Sequence, residues 1–161
     1  MSIEKVREYF KKYGIENKII EFDGDTSTVT LAAKCLGVTD GEIAKSLSFK
    51  VNDEPILVIA KGDARIDNKK YKDYFKVKAK MLSFDEVEEL IGHKVGGVCP
   101  FAIKENVKVY LDISLKEYEF VYPACGSSHS CIKLSIEEME KYSGYIEWVD
   151  VCKTLETKVE M

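Results

Sequence analysis

Arginine is nearly missing from this chain: Arg7 and Arg65 are the only two among 24 basic residues. The planar guanidinium fork that grips phosphates and base edges with paired hydrogen bonds is therefore scarce, and anion recognition falls to lysine. No apolar run approaches the ~20 residues a bilayer span requires, so no membrane partner is expected. The N-terminal segment MSIEKVREYFKKYG is amphipathic with mixed charge and reads as a helix, not a signal peptide. Five cysteines, an odd number without framework spacing, point to reduced thiols and a cytoplasmic setting. Histidine occurs twice, at His93 and His129. No P-loop, dinucleotide fingerprint or Ser-His-Asp order is visible, and no cofactor is expected. Cys125, His129 and Cys131 are soft ligands close together, but their spacing matches no zinc knuckle. A fourth ligand would have to come from Cys99, Cys152 or His93, so no metal is expected either.

What is present is an ordinary globular composition, 45% hydrophobic and 32% charged over 161 residues, which suits one domain with a real core. The domain reads as residues 1–153, with 154–161 a frayed tail. The net charge of −4 does not advertise a nucleic-acid binder, and DNA is not an expected partner. The distribution says more. Residues 61–80 carry eight Lys/Arg against three Asp, a local +5, whereas 135–161 carry seven acids against three lysines. One face therefore attracts phosphates. Tyr71, Tyr74 and Phe75 interleave with the basic run. They read either as inward packing or as part of a weak RNA footprint.

The stretch 26–51, TSTVTLAAKCLGVTDGEIAKSLSFKV, organises the rest. Thr26, Ser27 or Thr28 caps a helix whose Val29, Ala32, Ala33 and Leu36 share one face, and Gly37 ends it. Asp40 and Gly41 open a single turn. The period then changes to two, with Leu47, Phe49 and Val51 on one face of a strand and Ser46, Ser48 and Lys50 on the other. Lys45 has the parity of the apolar face. A lysine aimed inward at a strand mouth is either a functional exception or a stem that snorkels to water. Asn52 to Glu54 turns the chain into a second strand, 56–60. Asp67 caps a helix to Tyr74. Residues 76–81 alternate, with Val77, Ala79 and Met81 on one side. Ser83 and Glu86 form a capping box, as do Ser135 and Glu138. Further strands read at 18–22, 107–112, 118–122, 129–134 and 146–148. The order of elements, with hairpins, implies an α/β (α+β) fold: a curved, mixed, largely antiparallel sheet flanked by helices.

The pattern T-x-x-x-A-A-x-x-L-G-V at Thr28, Ala32, Ala33, Leu36, Gly37 and Val38, then K-S-L-x-F-K from Lys45 to Lys50, resembles the YbaK/EbsC family. That family comprises free-standing aminoacyl-tRNA deacylases and the editing insertion of bacterial prolyl-tRNA synthetase. Gly96-Gly97-Val98-Cys99-Pro100-Phe101 is similar to the family's G-x-x-x-P loop, and Ala124 to Gly126 to its later A/S-x-G segment. The resemblance covers about residues 3–149. It implies a barrel-like mixed sheet with a cleft at one side and an editing hydrolase for a mischarged aminoacyl-tRNA. It implies that Lys45 holds the 3′-terminal phosphate or ribose and that the glycine loop lines the aminoacyl pocket.

Within that reading Gly96 and Gly97 offer backbone donors to the ester carbonyl. Thr28, Ser46, Val98, Cys99, Pro100, Gly126 and His129 bind substrate or place water. Cys99 stands where many relatives have serine and reads as a small pocket-lining residue. His129 either steers water or ribose, or only holds a loop. The cysteinyl-specific branch often carries an acid near the position of Cys131, and its absence here counts against that specificity. The expected partners are the aminoacyl-tRNA acceptor end and, second, an aminoacyl-tRNA synthetase. The amino acid is small: alanine, cysteine, serine or proline. A non-catalytic tRNA- or synthetase-associated binding module is the alternative.

Overall fold

The computed structural model describes residues 2–154. Helix α1, Ser2–Lys11, buries Val6 and Phe10 one turn apart and stops before Gly14, whose φ is +73°. It covers most of the amphipathic N-terminal segment, and Tyr13, beyond its end, is exposed. Strand β1, Ile19–Glu21, leads to α2, Val29–Leu36. The Thr28 hydroxyl accepts the Leu31 N–H at 3.2 Å, and Gly37 closes the helix in the left-handed region, as the sequence predicts. A 3₁₀ turn, Asp40–Glu42, then feeds β2, Ile43–Val51.

β2 pairs antiparallel with β3, Glu54–Lys61, from Ala44↔Lys61 to Val51↔Glu54. The turn between them places Asn52 and Asp53 at φ +51° and +68°. Two consecutive positive φ values are the backbone of the hairpin turn that matches strand twist, and Asn and Asp tolerate it best after glycine. The short strand β4, Ala64–Ile66, and helix α3, Asn68–Phe75, follow, with the Asp67 carboxylate capping the Lys69 and Lys70 N–H groups. Helix α4, Phe84–Ile91, β5, Lys108–Asp112, β6, Phe120–Pro123, β7, Ser130–Ile132, and β8, Leu134–Ser135, come next. The chain closes through α5, Ile136–Ser143, β9, Glu147–Val149, and β10, Cys152–Thr154.

The main sheet runs β8-β6-β2-β3-β5-β9 and curls into a half-barrel. β6–β2, β3–β5 and β5–β9 are parallel and the other two pairings antiparallel, so the sheet is mixed as expected. Two antiparallel pairs, β1–β7 and β10–β4, complete it. The β4–β10 pair corrects the placement of the tail: Thr154 is in register with Ala64, so residue 154 belongs to the domain. The rest of the expected tail, 155–161, lies outside the described residues. The stretch 76–81 forms no strand; its one ladder contact is the bridge Phe49↔Met81. Parity also breaks there, leaving Met81 exposed and Leu82 buried.

β2 and β3 divide the interior. One face joins Ala44, Leu57 and Ile59 to α1, α4 and α5 through Phe10, Ile91, Phe101 and Met139. The opposite face packs Phe49, Val58 and Ala60 on Tyr71, Ala64 and Val151. Tyr71 and Phe75 stack inward, with centroids 4.6 Å apart, and Phe75 meets Tyr110 at 5.1 Å. These two rings belong to the second core, which decides the packing reading for Tyr71 and Phe75, whereas Tyr74 stays partly exposed at the edge against Phe75 and Tyr110.

Candidate functional site

The cleft-facing side of β2 carries Ala44, Ser46 and Ser48, the set that alternation separates from Leu47 and Phe49. Opposite stand α2, through Val29 and Ala32, and its lead-in Thr26 to Thr28. Together with Gly96 and Val98 they enclose a cleft of ≈420 Å³. Its floor holds Cys131, Tyr122 and Ala124, and its mouth Met81, Phe84 and Val95. The walls are mainly apolar with a few hydroxyls, the usual make-up of a small-molecule site.

Two of those hydroxyls matter most. Among the described residues Ser46 Oγ and Thr26 Oγ1 are buried without a hydrogen-bond partner of ordinary geometry, the Thr26 hydroxyl lying beside the Cys131 thiol. A buried hydroxyl left unpaired costs free energy, so its presence in an open cleft is a place for a ligand's polar atom. The Thr28 oxygen is already engaged as the α2 cap. Lys45 lines the same cleft, but its ammonium donates to the Ala64 carbonyl on β4. Burial lowers its pKa, partly offset by Cys152 and Asp63. The Cys131 thiol is pushed up to about 11 by burial and remains protonated.

The structure thus brings Thr28, Lys45, Ser46, Gly96 and Val98 to one cleft, and it places the other sequence candidates elsewhere. Gly97, Gly126 and His129 line a second cleft of ≈480 Å³, together with Lys5 and Lys94. The partition between the clefts is backbone. A Cβ on Gly97 would stand 2.6 Å from Gly126 C and Ser127 N. The Gly97 N–H is used within the loop, donating to the Lys94 carbonyl at 3.0 Å. His129 is exposed, and its Nδ1 lies 2.8 Å from the Gly24 carbonyl. A carbonyl only accepts, so Nδ1 carries a proton and donates it to that oxygen.

Cys99 and Pro100 are buried and line neither cleft. Cys99 has a neighbouring imidazole that sequence distance concealed: its Sγ is 3.5 Å from His93 Nε2. This pair is not a nucleophile and its base. His93 Nε2 already donates to the Phe101 carbonyl at 2.7 Å. Both residues are fully buried, and burial pushes the thiol up to about 12. A thiol so placed does not form the reactive thiolate. Cys125 is buried and His129 hydrogen-bonded, and among the described residues no three His, Cys, Asp or Glu gather as a metal site would require.

The rim of the cleft is built with care. The Lys50 N–H donates to the Lys80 carbonyl at 2.9 Å, and the Leu82 N–H to the Ser48 carbonyl at 3.1 Å. Ser83 and Glu86 close the predicted capping box. Lys50 Nζ then meets Glu86 Oε2 at 2.5 Å. The Lys50 hydrogen bond, and next the Ser83 N–H, hold the Glu86 carboxyl down at about 2. Its folded pKa lies below the ordinary value, so its stabilisation is present above ~4.3 and is lost as pH falls toward about 2. Glu86→Gln keeps an acceptor for Ser83. It should flatten the fall in melting temperature across that window, as read by circular dichroism at stepped pH. An unchanged slope would mean the pair contributes nothing.

Of the basic run, Lys61 is ion-paired with Glu117 and Asp63, Lys69 with Asp73 and Lys70 with Asp150. Lys76, Lys78 and Lys80 are exposed on the segment that leads to the rim. Sequence reasoning missed Thr26 as an unpaired hydroxyl, and Met81, Phe84 and Val95 at the mouth. The exposed Phe84 beside a capping serine was the available signal.

Residues 23–142 match the family model described as the aminoacyl-tRNA editing domain. The uncharacterized protein YwhH of Bacillus subtilis is 48% identical over 97% of this chain and 100% of its own length. A proline–tRNA ligase of Halalkalibacterium halodurans is 31% identical over 72% of this chain, a match spanning 20% of the ligase. A solved structure described as a candidate trans-editing enzyme for prolyl tRNA synthetase superposes with a TM-score of 0.84 at 27% identity. That superposition covers 94% of this chain and 97% of the other. No helix among the described residues is long and apolar enough to cross a membrane.

Proposed function

From the premise that this chain belongs to the aminoacyl-tRNA editing domain family, we propose that it is a trans-editing hydrolase of mischarged aminoacyl-tRNA. The observation that carries the reading is the unpartnered Ser46 hydroxyl, buried in a cleft that also holds Thr26, Lys45 and Gly96. The ester is already activated, so the site needs no strong nucleophile, and the buried Cys99 and Cys131 thiols supply none. It gains by orienting water and stabilising the oxyanion that develops on the carbonyl.

In the proposed reaction, water adds to the ester carbonyl. The bond from the acyl carbon to the ribose oxygen breaks, and the ribose hydroxyl takes up a proton. A free amino acid and a deacylated tRNA leave. The Ser46 and Thr26 hydroxyls engage the aminoacyl group. The Gly96 N–H serves the carbonyl, and Gly97 backs the loop. The Lys45 ammonium, once it leaves the Ala64 carbonyl, offers a cation to the 3′-terminal phosphate or ribose. Val98 and Thr28 shape the wall. His129 stands beyond the partition, held by its Nδ1–H on the Gly24 carbonyl.

The test is a deacylation panel: alanyl-, seryl-, cysteinyl- and prolyl-tRNA, each amino acid on its cognate tRNA and on proline tRNA. Turnover on any of these names the substrate. Salt-sensitive tRNA binding without turnover overturns the hydrolase reading in favour of a binding module.

A further inference from the structure

Three large apolar side chains stand out of the protein at one place. Phe84 is 76% exposed, Met81 59% and Val95 50%, and all three line the mouth of the Ser46 cleft. Single exposed apolar residues need no explanation, but a cluster around one opening does. Packing does not account for Phe84. At the start of α4 the inward positions are taken by Leu82 and Val87, both buried, in the places of a hydrophobic staple around the Ser83 cap. Nor is the rim a loose loop. Two backbone hydrogen bonds to β2, the capping box and the Lys50–Glu86 pair hold residues 80–86.

We infer that this rim is a stacking platform for the terminal base of the RNA 3′ end, with Phe84 as its aromatic face and Met81 beside it. The inference rests on the proposed function and names the part of the substrate that the aminoacyl pocket leaves out. A cleft of ≈420 Å³ lies in the range of about 300–1,000 Å³ that takes a drug-sized ligand, not a side chain of two or three carbons. With the aminoacyl group against Ser46 and Thr26, the remaining apolar space opens toward Phe84. Every base offers a π-face, and an exposed aromatic ring binds it whatever the sequence. Charge divides across the rim: α4 carries Asp85, Glu88 and Glu89 beyond Phe84, and the cations stand on the Met81 side. Lys76, Lys78 and Lys80 are exposed just upstream of Met81 and take part in none of the ion pairs among the described residues, so phosphates of the same strand find cations on that side of the platform.

The test uses a short acceptor-stem RNA ending in CCA, with 2-aminopurine in place of the terminal adenine. Stacking quenches its fluorescence. The expected result is quenching on binding by the wild-type protein, retained by Phe84→Trp and lost in Phe84→Ala. Binding by Phe84→Ala should weaken by roughly 5- to 150-fold, the equivalent of one stacked base. Saturable binding without a fluorescence change, or equal affinity of Phe84→Ala, overturns the platform, as does loss of synthetase binding alone in Phe84→Ala. Ester hydrolysis is followed separately with authentic aminoacyl-tRNA. Hydrolysis without quenching removes the platform and leaves the hydrolase. Quenching relieved by Phe84→Ala, without hydrolysis, supports the platform and removes the hydrolase.

Discussion

Replacing Lys45 by alanine is expected to lower kcat/KM for aminoacyl-ester hydrolysis by ~10²-fold or more, the scale of losing one preorganised electrostatic donor from a cleft. The same change touches stability. The Lys45 ammonium is the partner of the Ala64 carbonyl, and Ala64 is buried. Leaving that acceptor unpaired costs about 1–3 kcal/mol. Lys45→Met separates the two effects from the loss of the stem, because it keeps the packing and removes the charge. Both variants should be assayed well below their melting temperatures.

The pH profile gives an independent reading. Burial lowers the Lys45 pKa, so the ammonium discharges at a lower pH than an ordinary lysine near 10.4. Wild-type kcat/KM should therefore fall on the alkaline side before that value, and the fall should be missing in Lys45→Met. Unchanged hydrolysis by Lys45→Ala, on an ester the wild type cleaves, would reduce Lys45 to a tie between β2 and β4.

Gly97→Ala is expected to be the most damaging single-methyl change in the site. The added carbon would stand 2.6 Å from Gly126 C and Ser127 N and 2.8 Å from Ser127 Cα. These are backbone atoms with no rotamer to turn away. Gly126 has no room to retreat, since a Cβ there would already lie 2.8 Å from Ser2 C and O. Overpacking of this kind costs about 1–3 kcal/mol, and a backbone clash belongs at the upper end. For a chain of this size that is a fall in melting temperature on the order of 6–12 °C. The displaced loop would also carry Gly96 away from the Ser46 wall, so hydrolysis should fall in the protein that remains folded. A melting temperature equal to wild type would mean that the partition is looser than its geometry.

The parts of this fold that were legible in advance are those written in neighbouring residues. Asp67, Ser83 and Ser135 each cap the helix they announce, Thr28 is the one of the three candidates that caps α2, and Gly37 ends that helix in the left-handed region. The β2–β3 hairpin was legible because its turn and its alternation lie within twenty residues. What escaped depends on distant pairing. Residue 154 reads as the start of the tail until it is seen against Ala64 of β4, far upstream. Met81 follows the parity of Val77 and Ala79 until the bridge to Phe49 resets it. The split of Gly96 and Gly97 between two clefts is invisible in a two-residue string. It arises because Gly126 and Ser127 press on one glycine and not on the other.

The two-residue turn at Asn52 and Asp53 therefore has a reach beyond its size. Ser46 lies six residues before it, ~20 Å along an extended strand. A hairpin takes its register from its turn, and a slip of one residue exchanges the two faces of a strand. With one more or one fewer residue between Val51 and Glu54, a slipped β2 would present Leu47 and Phe49 to the opening and turn both serines inward. What the cleft can recognise is thus written in part at the far end of the strand, in a loop that never meets the ligand. Insertions at that tip are the place to look when a related chain keeps the fold and changes its substrate.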